Sequence, residues 1–432
     1  QAQQLEVQVL LVGGAQARDR LSGEALEALH WAESRGVKVE VYAEGVPLIG
    51  EVIVDGLLGT GLSGEVRGET AALIERINQS GMPVLALDVP SGLCADTGAM
   101  LGCAVRATLT LSFIALNRGL LTHHGVECCG ELLLDRLDLP EALYAEVDAQ
   151  VEVMGTEQRQ SALQARPRAA HKGDFGHVMV IGGDRGMAGA VVMASEAALR
   201  AGAGLVSVAT RAEHVGLCTN NQPEIMSHGV LSGQELEPLM ARASVLAIGP
   251  GLGQSAWSGQ LLQMAQQQSL PLVMDADALN LLSQGRLVDP GRRDNWVLTP
   301  HPGEAARLLG CSVAQIQADR FQAVNQLQQR YGGVIVLKGA GTLVCDGQTT
   351  KLCSRGNPGM ASGGMGDLLT GVIAALLAQG LGVFEASVIG VDVHAQAADR
   401  VAQRWGERGL AATDLIPEIR RLLNPEIILA AG

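Results

Sequence analysis

Short apolar runs alternate with longer stretches of mixed polarity along almost the whole chain. In the first half, runs rich in leucine and β-branched residues occur at VQVLLVGG (7–14), EVIVDGLLG (51–59) and PVLALDVPSG (83–92). Helix-length mixtures of polar and apolar residues separate them. Strands that alternate with helices in this way are typical of βαβ units in a mostly parallel sheet.

The same alternation resumes in the second half and predicts a larger doubly wound α/β domain. Its strand-like runs are HVMVIGG (177–183), SVLAIGPGLG (244–253), PLVMDADALN (271–280), WVLTPHPGE (296–304) and VIVLKGAGT (334–342). Between the halves, residues 153–176 are polar, contain Pro167 and show no sustained apolar period. We therefore expect two domains, residues 1–154 and residues 155–432.

Composition narrows the classes of function. The chain has 432 residues, 55 of them glycine, and a net charge of -14 without a basic stripe, which argues against nucleic acid as a partner. The eight cysteines form no CxxC pair, so neither a disulfide framework nor a zinc site is expected. No apolar run approaches the roughly 18–20 residues that a membrane span needs. We expect a soluble, cytoplasmic protein with no membrane partner.

Glycine-rich turns recur where predicted strands end, at IGGDRGMAG (181–189), IGPGLG (248–253), LKGAGT (337–342) and GGMGD (363–367). Ligands of open parallel sheets lie beyond the carboxyl ends of the strands, where glycines let backbone N–H groups approach phosphate oxygens. GGMGD also runs into an apolar segment whose first helical turn would form an anion site. The sequence therefore predicts a phosphate site with Asp367 beside it.

The roles of the polar residues at these turns stay open at this point. Asp367 is either a carboxylate that stabilises a helix start or a general base that takes the proton of a substrate hydroxyl. His301 either caps the helix that starts near Glu304 or contacts a ligand. Asp275 and Asp277 either bind a cation or cap the helix after them.

Six blocks in the second half carry a resemblance to a known family. They are HKGDFGHV, IGPGLG, DADALN, LTPHPGE, VLKGAGT and NPGMASGGMGDLLTG, in this order over residues 171–371. Together they resemble the carbohydrate-kinase-like family of NAD(P)H-hydrate dehydratases. The resemblance implies a ribokinase-like fold that uses ADP, or ATP, with Mg²⁺ to remove water from the S epimer of hydrated NADH or NADPH. ADP is then converted to AMP and phosphate.

The resemblance also implies site residues. Asp367 matches the catalytic residue, which also contacts the substrate. The positions that match nucleotide contacts are Lys338, Gly339, Ala340, Gly341, Thr342 and Gly366. Those that match contacts to the hydrated dinucleotide are Ala190, Gly253 and His301. Met365 stands where the family usually has threonine, which removes one hydroxyl group.

Two blocks in the first half, VDGLLGTGLSGEVRG (54–68) and LALDVPSGLCADTG (85–98), are similar to NAD(P)H-hydrate epimerase domains. By this resemblance Asp55 and Ser91 bind K⁺ and Asp88 contacts the substrate. The loop that would bind the substrate phosphate comprises Gly59, Thr60, Gly61, Leu62, Ser63, Gly64 and Glu65.

The first half also departs from the epimerase pattern. The family's Asn-Asn-Gly-Gly-Asp loop after the first strand is not found, and Asn117 stands where lysine is common. We therefore expect a partial Rossmann-like doubly wound domain whose front end is missing. Residual epimerisation and a structural or oligomerising role are both open for it.

Two other functions remain alternatives at this point, a ribokinase-like kinase of a small vitamin precursor and a nucleotide-binding protein without catalysis. Both would use the same anion site, so the glycine-rich loop alone does not separate them from the repair enzyme. A homo-oligomer is expected in each case.

Overall fold

The computed structural model describes residues 6–147, 149–285 and 291–424. The chain divides into two compact units, Gln1–Asp148 and Ala149–Gly432. The domain boundary expected after residue 154 lies further along the chain than this division. The reason is a strand at Val151–Val153, which pairs with the sheet of the second unit.

The first unit contains two parallel sheets, one of two strands and one of four, joined in sequence by short helices. The strands are β1 (Gln8–Leu11), β2 (Lys38–Val41), β3 (Ile53–Asp55), β4 (Val84–Leu87), β5 (Leu109–Phe113) and β6 (Glu131–Asp135). The helices are α1 (Glu24–Ser34), α2 (Gly68–Gln79), α3 (Gly125–Cys128) and α4 (Glu141–Ala145). β1 pairs with β2, and β3 to β6 follow one another across the larger sheet.

The two faces of the four-stranded sheet differ in how well they are covered. Val84 and Ala86, on one face, are buried. On the other face Val54, Leu87 and Leu133 are 56%, 38% and 44% exposed, although parallel sheets are normally covered on both faces. The described part of this unit is thus a parallel α/β layer with one open apolar face.

The second unit is built on a ten-stranded sheet in the order β10-β9-β8-β11-β12-β13-β14-β15-β16-β7. Its strands are β7 (Val151–Val153), β8 (His177–Ile181), β9 (Leu205–Thr210), β10 (Met226–Gly229), β11 (Val245–Ile248), β12 (Leu272–Met274), β13 (Trp296–Leu298), β14 (Val334–Leu337), β15 (Thr342–Cys345) and β16 (Thr350–Cys353). All neighbours from β10 to β14 are parallel, and β15 and β16 form an antiparallel hairpin. β8, β9 and β10 follow one another towards one side of the sheet, whereas β11 to β14 follow one another towards the other side. The boundary between β8 and β11 is therefore a topological switch point, where ligands of such sheets bind.

Helices flank this sheet, and one of them is buried over nearly its whole length. The helices are α5 (Glu157–Ala162), α6 (Ala188–Arg200), α7 (Val215–Asn221), α8 (Gly233–Met240), α9 (Ala256–Gln266), α10 (Ala276–Gln284), α11 (Pro302–Leu309), α12 (Val313–Ala318), α13 (Arg320–Tyr331), α14 (Met365–Ala378), α15 (Val383–Trp405) and α16 (Ile416–Leu422). The sequence of α14 is apolar all round, so it packs between α6, α15 and the sheet. In the described ranges, no helix combines the length and apolarity needed to cross a membrane.

The close packing of α14 on α6 can be tested at Gly371. A Cβ atom at this position would lie 2.0 Å from the carbonyl oxygen of Ala194 on α6. We expect Gly371→Ala to lower the free energy of unfolding by about 1–3 kcal/mol, because the two helices would have to move apart. The measurement is urea denaturation followed by circular dichroism.

Gly189→Ala on α6 serves as the matched control. Nothing lies within 4 Å of the Cβ that it would add. Alanine is the better helix former, so this change should leave the unfolding free energy unchanged or raise it by up to about 1 kcal/mol. Equal stabilities of both variants would contradict the close approach of α14 to α6.

Candidate active site

The carboxyl ends of β8, β11, β12, β13 and β14 form one edge of the large sheet, and each is followed by a polar or glycine-rich turn. The start of α14 reaches the same edge. A Cβ atom on Gly366 would lie 3.0 Å from Oδ2 of Asp275 and 3.1 Å from Nζ of Lys338. The fold therefore brings the GGMGD turn, the end of β12 and the end of β14 to one point.

A buried ion pair lies at this point. Nζ of Lys338 donates to Oδ1 of Asp275 at 2.7 Å, and the hydroxyl of Thr370 on α14 donates to Oδ2 at 3.1 Å. Asp275 occupies the N-cap position of α10, but its side chain makes no cap hydrogen bond. The sequence left two roles open for Asp275, binding a cation or capping α10. The carboxylate does not cap the helix.

The charges in this cluster shift one another. Burial opposes ionisation of Asp275, but Lys338 outweighs it and holds the carboxyl pKa below its usual range. Burial also opposes the charge of Lys338, but Asp275 and Glu304 raise its pKa. Glu304 lies 4.0 Å from Nζ, and burial raises its pKa. The cluster thus holds an ionised Lys–Asp pair with a second carboxyl nearby.

Asp367 lies in the first turn of α14, beside this pair. Burial, and then repulsion by Asp275, raise the pKa of its carboxyl to about 7, although Lys338 partly offsets them. A carboxylate that only stabilised a helix start would instead have a lowered pKa, because the positive end of the helix favours its charge. Asp367 is therefore suited to exchange a proton near neutral pH.

The loop between β14 and β15 (Lys338–Thr342, here the β14–β15 loop) faces the start of α14. The amide of Lys338 donates to the carbonyl of Pro300 at 2.9 Å, and this hydrogen bond joins the ends of β13 and β14. The hydroxyl of Thr342 donates to the carbonyl of Gly339 at 3.0 Å. Gly366 and all five predicted nucleotide positions of the loop thus belong to two adjoining segments of one edge.

The predicted substrate positions Ala190 and Gly253 lie along the same edge, near the switch point. Gly253 has a φ of +70°, and a Cβ on it would lie 2.8 Å from Oδ2 of Asp184. The amide of Gly253 donates to Oδ2 of Asp277 at 2.9 Å. The carboxylate of Asp277 therefore fixes this loop. A Cβ on Gly251 would lie 3.1 Å from the Cβ of Ala190, which places α6 against the loop.

The sequence analysis did not single out Asp184, which follows β8 after two glycines in IGGDRGMAG. Its carboxylate accepts hydrogen bonds from Nε of Arg211 at 2.7 Å and from the hydroxyl of Ser255 at 3.1 Å. Burial opposes its charge, but these donors outweigh it and lower the pKa. The sequence feature that could have identified Asp184 is a carboxylate that follows a strand and two glycines.

His301 caps α11, as one of the two readings of the sequence held. Its Nδ1 accepts a hydrogen bond from the amide of Gly303 at 2.9 Å, and the carboxylate of Glu304 accepts one from the amide of His301 at 2.8 Å. The imidazole remains half exposed, and burial followed by Lys338 lowers its pKa. The ring is therefore neutral at physiological pH and keeps an open side. Its contact with a substrate remains a prediction.

In the first unit the structure brings Asp55 and Ser91 together. Ser91 donates to Asp55 twice, from its amide to Oδ2 at 2.8 Å and from its hydroxyl to Oδ1 at 2.6 Å. The amide of Leu58 donates to the Ser91 hydroxyl oxygen at 2.9 Å. The loop of Gly59 to Glu65 follows directly, so the pair fixes where this loop begins.

Asp88 lies at the end of β4 in the same unit. Its φ of 65° is unusual for a residue other than glycine and marks a strained backbone. Its carboxylate accepts from the hydroxyl of Ser112 at 3.1 Å and from the amide of Phe113 at 3.3 Å. Asp88 is thus held at the same strand edge as Asp55, because β3 and β4 are neighbours.

Comparison with known proteins identifies the family. Residues 178–421 match the family model described as NAD(P)H-hydrate dehydratase, and residues 1–119 match that of the YjeF-related protein N-terminus. The bifunctional NAD(P)H-hydrate repair enzyme Nnr of Coxiella burnetii is 51% identical over 98% of this chain and 85% of that protein. The enzyme of the same name from Escherichia coli is 44% identical over 93% of this chain and 77% of that protein.

Solved structures agree with these matches. A ribokinase-like superfamily protein from Enterococcus faecalis is 31% identical, with a TM-score of 0.59, over 64% of this chain and 96% of that one. The ADP/ATP-dependent NAD(P)H-hydrate dehydratase from Bacillus subtilis, co-crystallised with ATP and Mg²⁺, is 26% identical, with a TM-score of 0.56, over 64% of this chain and 98% of that one. The predicted ribokinase-like fold is confirmed, and the chain belongs to the family of bifunctional NAD(P)H-hydrate repair enzymes.

Proposed function

We propose that this chain repairs hydrated NADH and NADPH. The second unit removes water from the S epimer at the expense of ADP, which becomes AMP and phosphate, and the first unit interconverts the R and S epimers. The observation that carries the dehydratase part is Asp367, a carboxyl with a pKa of about 7 at the start of α14, next to the Lys338–Asp275 pair. Family membership disfavours the two alternatives, a vitamin-precursor kinase and an idle nucleotide-binding protein.

In the first step Asp367 takes the proton of the hydroxyl on the hydrated nicotinamide ring, and the oxygen attacks the terminal phosphorus of ADP as AMP leaves. Backbone N–H groups at the start of α14 and the ammonium of Lys338 stabilise the charge on the transferred group. In the second step the ring C–O bond breaks, phosphate leaves, and the adjacent ring carbon loses a proton. The double bond of the reduced nicotinamide is thereby restored.

The residues present fit a nucleotide accompanied by Mg²⁺. Gly366 leaves space between Asp275 and Lys338 that a side chain would fill, and the β14–β15 loop lies beside it. Among the residues that the structure describes, no group of three or more His, Cys, Asp or Glu is arranged to hold a metal ion. Mg²⁺ would be held largely by the phosphates, with Asp275 and Asp367 as nearby carboxylates, and it would neutralise part of the phosphate charge.

The substrate is proposed to lie along Ala190, Gly253 and His301, so that its ring hydroxyl reaches Asp367. Met365, in place of the family's usual threonine, is 6% exposed and packs in the core. Its side chain therefore points away from the edge, while the amides of the first turn of α14 remain at the site. The replacement removes a hydroxyl without blocking the anion site.

For the first unit, Asp55 and Ser91 are proposed to hold K⁺. The hydroxyl of Ser91 also lies 3.2 Å from the carbonyl oxygen of Leu58, so carboxylate, hydroxyl and carbonyl oxygens converge. Hard oxygen ligands of this kind suit an alkali cation, which would stiffen the phosphate loop of Gly59 to Glu65. Asp88 would contact the substrate. Self-association and a cytoplasmic location complete the proposal.

Asp367→Asn tests the proposed base. We expect the turnover number for dehydration of the S epimer to fall about 10²–10⁴-fold, because asparagine cannot accept the proton, while ADP still binds. The measurement is recovery of NADH absorbance with ADP and Mg²⁺. Asp294→Asn, at an exposed carboxylate before β13, is the matched control and should keep full activity. Undiminished turnover in Asp367→Asn would remove the base from the mechanism.

The raised pKa of Asp367 also predicts a pH dependence of stability. The folded-state pKa of about 7 exceeds the ordinary value of 3.8, so the folded protein binds this proton more tightly than the unfolded chain. The stabilisation that this bound proton gives the fold is complete below the ordinary pKa of 3.8 and is lost as pH rises through about 7. Asn cannot ionise, so the Tm of Asp367→Asn relative to wild type should increase from about pH 5 to about pH 8.

Asp294→Asn is again the control, because its carboxylate is exposed and its Tm difference should show no such trend. The measurement is thermal denaturation across the pH series. A Tm difference for Asp367→Asn that is constant with pH would mean that the carboxyl is not held protonated in the fold.

Ser91→Ala tests the epimerase site. We expect loss of most epimerisation activity and of its response to K⁺, because the variant lacks the hydroxyl that joins Asp55 to the phosphate loop. Dehydration of pure S epimer should be unchanged. Ser80→Ala is the matched control, because the hydroxyl of Ser80 bonds only locally at the end of α2, donating to the carbonyl of Ile77 and accepting from the amide of Met82. Wild-type protein that epimerises nothing in K⁺ would leave the first unit with a structural role.

A further inference from the structure

A buried arginine lies beneath the β14–β15 loop. Arg320 is the first residue of α13 and is only 1% exposed. Its Nη2 donates to the carbonyl oxygen of Leu337 at 3.2 Å and to those of Lys338 and Gly341 at 3.3 Å each. One guanidinium group therefore contacts both ends of the loop. No sequence motif marked this residue.

These bonds set the direction of the loop's amides. In a planar trans peptide the N–H points opposite to the preceding C=O. Because the carbonyl of Lys338 faces Arg320, the N–H of Gly339 points away from the guanidinium, out of the loop. Gly339 has a φ of +139°, and a Cβ on it would lie 2.9 Å from Nη1 of Arg320. The backbone at this position therefore rests directly on the guanidinium.

The charge of Arg320 matters as well as its geometry. Carboxyl groups of Asp275, Glu304 and Asp367 surround Lys338, and a nucleotide would bring further negative charge. Burial lowers the pKa of Arg320 to about 10, which still leaves it cationic at neutral pH. A buried cation behind the loop favours the negative charge that a nucleotide would bring to it.

We propose that Arg320 is a positioning residue for nucleotide binding. It holds the β14–β15 loop with the N–H of Gly339 directed outward and places a positive charge behind the phosphates, without contacting the nucleotide. The inference rests on the proposed nucleotide role of this loop, and it adds a residue that acts through the loop.

The test uses Arg320→Met and Arg320→Lys in the full chain, with ADP and the S hydrate titrated separately by calorimetry. In Arg320→Met we expect the Kd for ADP to rise at least about tenfold, the order expected for one lost charge-assisted interaction. The Kd for the S hydrate should stay within about twofold. Arg320→Lys keeps the charge but loses the planar group that reaches three carbonyls. Its Kd for ADP should therefore lie between those of the wild type and of Arg320→Met.

Arg293→Met is the matched control. Arg293 also donates to main-chain carbonyls, those of Gln266 at 3.2 Å and of Leu270, but it precedes β13 and so lies at the opposite edge of the sheet. It should lower the Tm and leave the Kd for ADP unchanged. An Arg320→Met protein with a native circular dichroism spectrum and wild-type affinity for ADP would overturn the proposal.

Equal losses of affinity for ADP and for the S hydrate in Arg320→Met would also overturn it, because they would indicate general disruption. If Arg320→Met does not fold, the test uses Arg320→Lys. A folded Arg320→Lys protein with wild-type affinity for ADP, or with equal losses of affinity for ADP and the S hydrate, would then overturn the proposal. Wild-type protein that binds no ADP would count against the proposed function. Wild-type protein that binds ADP, with variants that bind it equally well, would count against the role of Arg320 alone.

Discussion

The buried pair of Lys338 and Asp275 is the interaction on which the site depends. It joins the ends of β14 and β12, and Thr370 adds α14 to the same contact. An ion pair of this kind costs desolvation on both sides and is retained only where its geometry is good. Here it shapes the electrostatics of the edge, because it leaves Asp275 charged, and burial together with that charge raises the pKa of the neighbouring Asp367 to about 7.

The position of Asp367 also depends on the burial of α14. A helix that is apolar all round has one stable place, the core, and α14 is held there by α6, α15 and the sheet. Its first turn is thereby fixed at the sheet edge, and the amides of a helix start are the kind of group that binds an anion. Packing energy far from the chemistry therefore fixes the carboxyl and the anion site relative to each other.

In the first unit, hydrogen bonds hold the candidate site residues at the edge of the sheet. Asp55 receives both donors of Ser91, and Ser91 in turn accepts from Leu58, so two loops from neighbouring strands are tied at their starts. The open apolar face of its four-stranded sheet contrasts with strands β11 to β14 of the second unit, which are buried over their whole length. The site edge of the first unit is ordered even though one of its faces is open.

The sequence by itself determined the elements and where chemistry could occur. Apolar runs predicted β1, β3, β4, β8 and β11 to β14, glycines after β8, β11 and β14 predicted a ligand edge, and GGMGD placed Asp367 beside a predicted phosphate site. These are local properties of chain segments, so a single sequence carries them.

Only the tertiary structure decided how the marked residues interact. Lys338 and Asp275 are 63 positions apart, Thr370 and Asp275 are 95 apart, and nothing in the spacing of either pair predicts the contact. The same holds for Arg320 beneath the β14–β15 loop and for Asp184 against Gly253. The pKa of Asp367 is likewise a tertiary property, because burial and the charge of Asp275 both come from segments brought together by folding.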